Sequence, residues 1–529
     1  MKELVFEELS LKQKIGMTLI ALLSNNNERE EVVDYVVDLI KNHSLGGVWV
    51  DPGSKRFEEN MRRVKEAADY PIPIFTDAGR GLGKYRMAGQ IALGYTDSEE
   101  LAYTFGKVNA INARKMGFSV VCCPVLDMVK TNWTCGGVDR ALGSDKQRVT
   151  ALAAAMVRGM HDGGVLSVCK HYPGQGESGQ YIDSHMAENL SFMTKEQLLD
   201  YNLYPYVELN KMGLLDGIMT AHLKCQNIDP DFPASLSKKV IDIIRDCGFE
   251  GFALSDGLCM MGVVAKFGRW APIPMSVEAG NDFALPFINE NDLCYDALVE
   301  GYENGTLSEE RLNKAVKRVL ATHHKVAMLD TSAEITPEDE EKFARIDRDS
   351  IIEICDEGIP KALDRNGKYY FTILTEGSVD LNDSTKKIAV DTFYRKWFDP
   401  FKVADKLREL FPNSEVGTIP EFPTPNESQR IFNRSYGYET VFITNFSFKA
   451  YAGTEEFTPR IRSVFKAMQV SDRISTIVHF GNPYLLEDLP HIPRKIIGCC
   501  SEESVNHGLD VLAGELEARG TLNHNVKLK

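Results

Sequence analysis

Two short stretches of the chain bring together side chains that can bind and transfer protons. The sequence KHYPGQG begins at Lys170, and the sequence DSH begins at Asp183. An Asp two residues before a His can hydrogen-bond the imidazole, fix its tautomer and raise its basicity, which a proton-transfer His needs. A lone His is often only a structural side chain. Here Lys170, His171 and the Asp183–His185 pair share one loop region rich in glycine, which favours a functional site.

A further candidate is the carboxylate of Asp256, which follows an apolar run and precedes Gly257. Because no bulky side chain comes after it, this carboxylate can face a ligand. Many strands of α/β proteins end in Asp-Gly, so the feature alone is weak evidence. A carboxylate and a proton-transfer His together supply the two groups that hydrolysis of a glycosidic bond needs, one to attack or stabilise the anomeric carbon and one to protonate the leaving oxygen.

The elements that hold these residues follow a repeated strand–helix pattern over the first ~330 residues, which predicts a parallel sheet. The predicted strands are Gly46–Asp51, Ile72–Asp77, Ser119–Asp127, Val165–Lys170, Asp216–Thr220, Gly251–Asp256 and Asp282–Leu285. Several end on a polar or charged residue: Asp51, Asp77, Asp127, Lys170 and Asp256. In a parallel barrel these ends would ring the mouth that carries the active site, although each residue alone could merely cap the next helix.

The remaining segments predict the domain organisation. The opening residues MKELVFEELSLKQKIGMTLIALL predict an amphipathic first helix and not a signal peptide. The acidic segment Thr331–Asp349 predicts a solvated linker or surface helix, and further strands separated by helical stretches follow it. We therefore predict a catalytic barrel over residues 1–335, a linker over 336–350 and a second α/β domain over 351–529.

Composition narrows the classes of partner. The formal net charge of the 529-residue chain is −16, which disfavours nucleic acid and anionic membranes and favours a small neutral or weakly charged substrate. No apolar run approaches the ~18 residues of a membrane span. The 11 cysteines indicate free buried thiols in a reducing compartment, so we expect a cytoplasmic protein. Their spacing does not indicate a metal site.

Several motifs in order resemble those of family 3 glycoside hydrolases. They are KHYPGQG, DSH, GFEGFALSDGLCM, VDRALGSD and GIMTAHL. The DSH element is similar to that of the bacterial β-N-acetylglucosaminidase branch. The resemblance runs through nearly all of the first domain, and in the second domain HFGNPYLL and VLAGELEARGTL are similar to the α/β sandwich domain of longer members. It implies a (β/α)₈ TIM-type barrel followed by a smaller α/β sandwich domain.

The resemblance also implies roles for individual residues. Asp256 matches the nucleophile, and His185 matches the general acid/base with Asp183 as its partner. The implied substrate-binding residues are Asp77, Arg86, Arg140, Lys170 and His171. These roles agree with the chemistry, because a carboxylate accepts hydrogen bonds from sugar hydroxyls and nearby cations hold carboxylates ionised. Neither a metal nor an organic cofactor is expected.

The chain departs from the family pattern near the site. The acidic Gly-Gly stretch expected after Asp77 is here AGRGLGKYR, with one extra residue before Arg86. The second His of KHxPGHG is Gln175, and the residue after the nucleophile, usually Asp, is Gly257. The DSH element lies two residues later than the pattern places it. These changes bear on the sugar and the leaving group more than on the type of reaction.

We therefore expect a retaining exo-β-N-acetylhexosaminidase that removes terminal β-linked N-acetylglucosamine. The sequence leaves three alternatives open. A glycoside phosphorylase could use the same site, since a His acid/base does not repel an anionic acceptor. A β-glucosidase would differ in whether the pocket accommodates an acetamido group. An inactive sugar-binding homologue would explain the altered Asp77–Arg86 loop, but the presence of Asp256, His185 and Asp183 argues against it.

Overall fold

The computed structural model describes residues 1–24, 29–131, 137–176, 183–382, 398–446 and 456–529. Within the first domain, seven parallel strands of the described residues form one curled sheet in the order β1-β2-β3-β4-β5-β7-β9. The strands are β1 (Ile20–Leu23), β2 (Gly47–Val50), β3 (Ile74–Asp77), β4 (Val120–Cys122), β5 (Leu166–Tyr172), β7 (Gly217–Thr220) and β9 (Phe252–Ser255). A separate parallel pair is formed by β6 (Asn189–Ser191) and β8 (Leu223–Cys225).

The sheet closes into a barrel through the segment predicted as its last strand, Asp282–Leu285. Phe283 forms a parallel bridge to Leu254 of β9, and Ala284 forms one to Leu19, just before β1. The amide of Ala284 donates to the carbonyl of Thr18 at 2.7 Å. These contacts occupy the eighth strand position, and the predicted barrel class is confirmed.

The prediction of a single amphipathic first helix is wrong. The helix α1 covers only Leu11–Gly16, and Ile20–Leu23 is the first barrel strand. All four residues of that strand are buried. In a closed barrel a strand is covered on both faces, so its apolar run lacks the alternation that distinguishes a strand from a helix in the sequence.

Helices surround the barrel and place their apolar faces on it. They are α1 (Leu11–Gly16), α2 (Glu30–Lys41), α3 (Phe57–Ala67), α4 (Gln90–Thr96), α5 (Glu99–Met116), α6 (Lys146–Asp162), α7 (Lys195–Asp200), α8 (Tyr204–Lys211), α9 (Lys238–Asp246), α10 (Met261–Phe267), α11 (Pro272–Ala279), α12 (Asn291–Glu303) and α13 (Glu309–Ala327). In α9, for example, Val240, Ile241 and Ile244 are buried, and the hydroxyl of Ser237 caps the first turn by accepting from the amide of Val240.

The second domain contains a mostly parallel sheet in the order β10-β15-β14-β13-β11-β12 among its described residues, with β10 antiparallel. Its strands are β10 (Ile352–Cys355), β11 (Tyr369–Thr375), β12 (Glu415–Pro420), β13 (Glu439–Phe446), β14 (Ile474–Gly481) and β15 (Arg494–Gly498). Helix α14 (Pro337–Asp349) precedes this sheet, and the helices of the second domain are α15 (Pro400–Leu410), α16 (Pro425–Arg434), α17 (Pro459–Val470) and α18 (Glu502–Leu512).

Successive residues of the central strands in the second domain pack into different layers. Phe371 and Val441 pack with α15 and α18, whereas Tyr370 and Phe442 belong to the cluster that includes α17. This period-two alternation makes the domain a sandwich with helices on both faces of the sheet.

The acidic segment between the two domains forms helix α14 and packs onto the barrel. Lys107 of α5 pairs with Asp339 at 2.9 Å, and the hydroxyl of Tyr85 donates to Glu340 at 2.7 Å. The segment therefore follows the surface-helix alternative of its prediction.

Two further expectations concern the thiols and the membrane. The ten cysteines that lie in the described residues have free thiols, and most of them are buried. None of the helices in those residues combines the length and apolar character that crossing a membrane requires.

Candidate active site

Three predicted site residues lie where adjacent or nearby strands end at one mouth of the barrel. Asp77 is the last residue of β3, Lys170 lies near the end of β5, and Asp256 follows β9. Their common position follows from parallel pairing, since the carboxyl ends of all the strands meet at the same edge. Asp77 and Lys170 join directly through a short ion pair in which Nζ of Lys170 donates to Oδ2 of Asp77.

A bulge in β5 allows both Lys170 and His171 to serve the mouth. Lys170 pairs with Met219 of β7 and Tyr172 pairs with Thr220, so that His171 is an extra residue in the ladder. In a regular strand, neighbouring side chains point to opposite faces, and a bulge changes this direction locally. The sequence motif Lys-His thus becomes two side chains of one site.

The charges around Asp77 keep it ionised. Loss of hydration at the barrel mouth would by itself raise the pKa of Asp77, but the positive charges of Lys170 and Arg140 outweigh it and lower that pKa well below its usual value. The Lys170 side chain is 2% exposed and that of Asp77 is 48% exposed. Asp77 therefore presents a negatively charged oxygen to the barrel mouth, and the buried ammonium group of Lys170 lies beneath it.

His171 lies between a carboxylate and a guanidinium. Nδ1 of His171 contacts Oδ2 of Asp127 at 2.6 Å, and Nη2 of Arg140 donates to Nε2 of His171 at 3.2 Å. Because guanidinium groups only donate, Nε2 must accept, and the proton is on Nδ1. Burial would raise the pKa of Asp127, but His171 lowers it below the usual value. The two contacts fix the orientation of the imidazole ring.

Asp256 lies within the electrostatic reach of three histidines. Burial would raise the pKa of this carboxyl, but the neighbouring His171, His222 and His185 side chains lower it below its usual value. The amide of Gly257 also donates to Oδ1 of Asp256 at 2.8 Å. Asp256 is therefore an ionised carboxylate at neutral pH, as a nucleophile requires.

Asp183 and His185 form the hydrogen-bonded pair that their spacing predicted. Oδ1 of Asp183 contacts Nδ1 of His185 at 2.7 Å and also accepts from the His185 amide at 3.0 Å. The Nδ1–H therefore points to the carboxylate, which fixes the orientation and the tautomer of the ring.

The loop that carries this pair is anchored beside Asp256. The carbonyl of His185 accepts from the amide of Met261 at 3.3 Å, and that of Ser184 accepts from Gly262 at 3.0 Å. Met261 and Gly262 begin helix α10, directly after the Asp256 loop. Despite its two-residue displacement in the sequence, the DSH element thus lies against the segment that follows Asp256.

The structure places the two predicted arginines, Arg140 and Arg86, in different surroundings. Arg140 contacts His171 inside the site, whereas Arg86 is exposed and follows the short turn Gly83–Tyr85. In the same altered loop, Arg80 forms a short ion pair with the buried Asp139 and donates to the carbonyl of Ala88 at 2.7 Å. Glu177, which would be the next candidate for the acid if His185 did not serve, lies outside the described residues.

Sequence reasoning missed His222 as a site residue although it lies in the motif GIMTAHL. Nε2 of His222 donates to the carbonyl of Gly257 at 2.9 Å, and its Nδ1 contacts the Ser235 hydroxyl at 2.8 Å. Burial lowers the pKa of His222, which keeps it neutral. It therefore holds the backbone beside Asp256. Asp127 was predicted at the mouth as a strand end, but its bond to His171 was not.

Comparison with known proteins identifies the family of the chain. The family model "Glycosyl hydrolase family 3 N terminal domain" matches residues 10–322. The chain therefore belongs to glycosyl hydrolase family 3 and is a glycoside hydrolase, as predicted, with a carbohydrate as its substrate.

The curated relatives of this chain include proteins named beta-hexosaminidase. Beta-hexosaminidase LpqI of Mycobacterium bovis is 27% identical over 330 residues, which cover 59% of this chain and 82% of the relative. The beta-hexosaminidase of Pseudomonas aeruginosa is 32% identical over 191 residues, or 36% of this chain and 56% of the relative.

Solved structures share the two-domain architecture. A family 3 β-N-acetylglucosaminidase from Paenibacillus sp. str. FPU-7 has a TM-score of 0.79 at 24% identity, covering 98% of this chain and 100% of that one. The beta-glucoside phosphorylase BglX also has a TM-score of 0.79, at 22% identity and with coverage of 98% and 94%. At these identities the likeness concerns the fold.

Proposed function

We propose that the protein is a retaining exo-β-N-acetylhexosaminidase that hydrolyses terminal β-linked N-acetylglucosamine. The observation that carries the proposal is the Asp183–His185 pair anchored beside the ionised Asp256. One group is an anionic nucleophile and the other can give and take a proton, which are the two functions that retention requires. The names of the relatives support the amino sugar as substrate.

In the first step, a carboxylate oxygen of Asp256 attacks the anomeric carbon while the bond to the leaving oxygen breaks. Nε2 of protonated His185 gives its proton to that oxygen, because an alkoxide is a poor leaving group. Asp183 stabilises the imidazolium through the 2.7 Å contact with Nδ1. The product of this step is a glycosyl ester of Asp256.

In the second step, neutral His185 accepts a proton from water as the water oxygen attacks the same carbon. The ester bond to Asp256 breaks, and its carboxylate is regenerated. Two inversions at the anomeric carbon give net retention. His185 returns to its protonated form, and the cycle closes without another acid.

The remaining predicted residues bind the sugar. The ionised Asp77 accepts hydrogen bonds from ring hydroxyls, and the cations Lys170 and Arg140 donate to sugar oxygens. Arg86 stays a proposed binding residue at the outer rim of the mouth. His171, oriented by Asp127, contributes from the wall of the pocket.

A panel of aryl β-glycosides tests the proposal. The panel contains the N-acetylglucosaminide, N-acetylgalactosaminide, glucoside and xyloside, each with and without inorganic phosphate. We expect the N-acetylglucosaminide to have the highest kcat/KM, with free N-acetylglucosamine as the product. A preference for the glucoside would contradict the proposed sugar, and a sugar 1-phosphate as product would replace hydrolysis by phosphorolysis. No turnover of any of the four would reject catalysis.

A further inference from the structure

We infer that Tyr484 and a C-terminal strap, residues 521–524, position the loop that carries Asp127 and Arg140, so that sugar binding depends on the second domain. The inference rests on the binding roles proposed above for Arg140 and His171. It assigns a role in the reaction to residues that lie far from the bond that is cleaved. The described parts of the loop are two arms, residues 126–131 and 137–144.

The first arm is held by Tyr484 of the second domain. The hydroxyl of Tyr484 donates to the carbonyl of Val129 at 2.7 Å, and Tyr484 is 2% exposed. The amide of Val129 donates to the carbonyl of Gly143 at 3.3 Å, which joins the first arm to the second. One tyrosine hydroxyl thus acts on both arms.

The second arm is held by the strap. The amide of Ser144 donates to the carbonyl of Asn523 at 3.0 Å, and Nδ2 of Asn523 donates to the carbonyl of Leu142 at 3.3 Å. Gly143, with a φ of 152°, lies between these two bonds, and a Cβ there would stand 2.6 Å from the carbonyl oxygen of Asn523. Glycine therefore permits the close approach of the strap.

The strap is itself fixed to both domains. The amide of Thr521 donates to the carbonyl of Tyr95 in the barrel at 2.7 Å. The His524 ring lies between Tyr95 and Tyr484, with centroid distances of 5.7 and 6.0 Å. A displacement of the second domain would therefore reach both arms of the loop.

These contacts lie close in sequence to the groups that line the sugar site. Asp127 is two residues before Val129, and Arg140 is three residues before Gly143. The two arms meet at His171, through Asp127 at 2.6 Å and Arg140 at 3.2 Å. A shift of a few tenths of an ångström in one arm would take the Arg140 contact beyond hydrogen-bond range.

The acid/base pair is anchored elsewhere, which makes the expected effect selective. The carbonyls of His185 and Ser184 accept from the amides of Met261 and Gly262 at the start of helix α10. Loosening the arms should therefore weaken sugar binding and spare proton transfer. A merely structural Tyr484 would instead lower the thermal midpoint and leave KM unchanged.

The test variant is Tyr484→Phe, which removes one oxygen and keeps the ring. Its matched control is Tyr70→Phe, because the Tyr70 hydroxyl donates to the carbonyl of Leu45 at the same 2.7 Å, before β2 and hence at the opposite end of the barrel. With 4-nitrophenyl N-acetyl-β-glucosaminide, we expect KM to rise about fivefold in Tyr484→Phe with kcat nearly unchanged, as the loss of one neutral hydrogen bond implies.

Two outcomes would overturn the inference. One is an unchanged KM in Tyr484→Phe, and the other is an equal rise in Tyr70→Phe. Asn523→Ala should reproduce the KM effect of Tyr484→Phe through the second arm, and a KM equal to that of the wild type would reject the strap.

Hydrogen exchange separates a failure of this inference from a failure of the proposed function. The amides of residues 138–144 should exchange faster in Tyr484→Phe than in the wild type or in Tyr70→Phe, whether or not the enzyme cleaves the chosen glycoside. Unchanged exchange there would reject the positioning role. Faster exchange in Tyr484→Phe, together with no turnover of the glycoside by the wild type, would support the positioning role of Tyr484 and reject the proposed substrate.

Discussion

The molecule contains two His–Asp pairs of nearly the same local geometry at one barrel mouth. Nδ1 of His171 lies 2.6 Å from Asp127, and Nδ1 of His185 lies 2.7 Å from Asp183. The side chain of His171 is 6% exposed and its Nε2 accepts from Arg140, whereas the side chain of His185 is 27% exposed. A hydrogen-bonded carboxylate therefore does not by itself fix the environment of a histidine.

The two pairs differ in what surrounds the imidazole ring. Nε2 of His171 faces the guanidinium of Arg140, and the side chain is nearly buried, so we expect this imidazole to act as a binding group. His185 lies on a loop anchored next to Asp256 and retains partial access to solvent, which proton exchange with water requires. We therefore expect substitutions in the two pairs to have different kinetic signatures.

The largest effect should come from Asp256, whose pKa is lowered by the histidines of both pairs. Asp256→Asn removes the attacking charge, and turnover should fall by several orders of magnitude, equivalent to about 5 kcal/mol or more of barrier. The measurement is kcat for an aryl N-acetylglucosaminide, with circular dichroism to verify folding. In the wild type, mass spectrometry after reaction with a fluorinated slow substrate should find the sugar on Asp256. A label on another residue would refute the assignment.

The next effect separates His185 from His171. His185→Ala should severely reduce the glycosylation rate for poorly activated glycosides and affect dinitrophenyl glycosides much less, because a good leaving group needs no proton. His171→Ala should instead reduce kcat/KM by a similar factor for all leaving groups. A His185→Ala defect that is independent of the leaving group would make His185 a binding residue and direct attention to Glu177.

A milder effect is expected from Asp183, the hydrogen-bond partner of His185. Asp183→Ala leaves the imidazole in place and removes the group that orients and polarises it. The dependence on leaving-group pKa should resemble that of His185→Ala with a smaller loss, on the order of tenfold to a hundredfold. Asp127→Ala serves as the control from the other pair, and it should raise KM without that dependence.

The smallest effect concerns stability in acid. The pKa of Asp127 in the folded protein is lowered below its usual value of ~3.9, so its ionised form stabilises the fold above that pH. This contribution is lost as the pH falls towards the lowered pKa. The thermal midpoint of Asp127→Asn should therefore lie several degrees below that of the wild type at pH ~7, and the gap should narrow by pH ~3. A difference between the two thermal midpoints that widens in acid would contradict the lowered pKa of Asp127.

Sequence patterns predicted the positions of three candidate residues better than some of the elements around them. Asp77, Lys170 and Asp256 were predicted at one mouth because parallel strands end at one edge, and the structure places them there. The first strand, Ile20–Leu23, was missed because a strand buried on both faces has no alternation. His222 was missed because its partners, Ser235 and the carbonyl of Gly257, are 13 and 35 residues away.

By itself, the sequence determined the family, the barrel followed by an α/β sandwich, and the local Asp183–His185 pair, because short spacings and strand periodicity are encoded in neighbouring residues. Only the tertiary structure decided which histidine lies between a carboxylate and a guanidinium. The contacts responsible join residues 31 and 44 positions apart, from Arg140 and Asp127 to His171. It also decided that the chain's end returns to the barrel at Leu142 and Ser144, since no local pattern specifies a hydrogen bond to a backbone carbonyl hundreds of residues away.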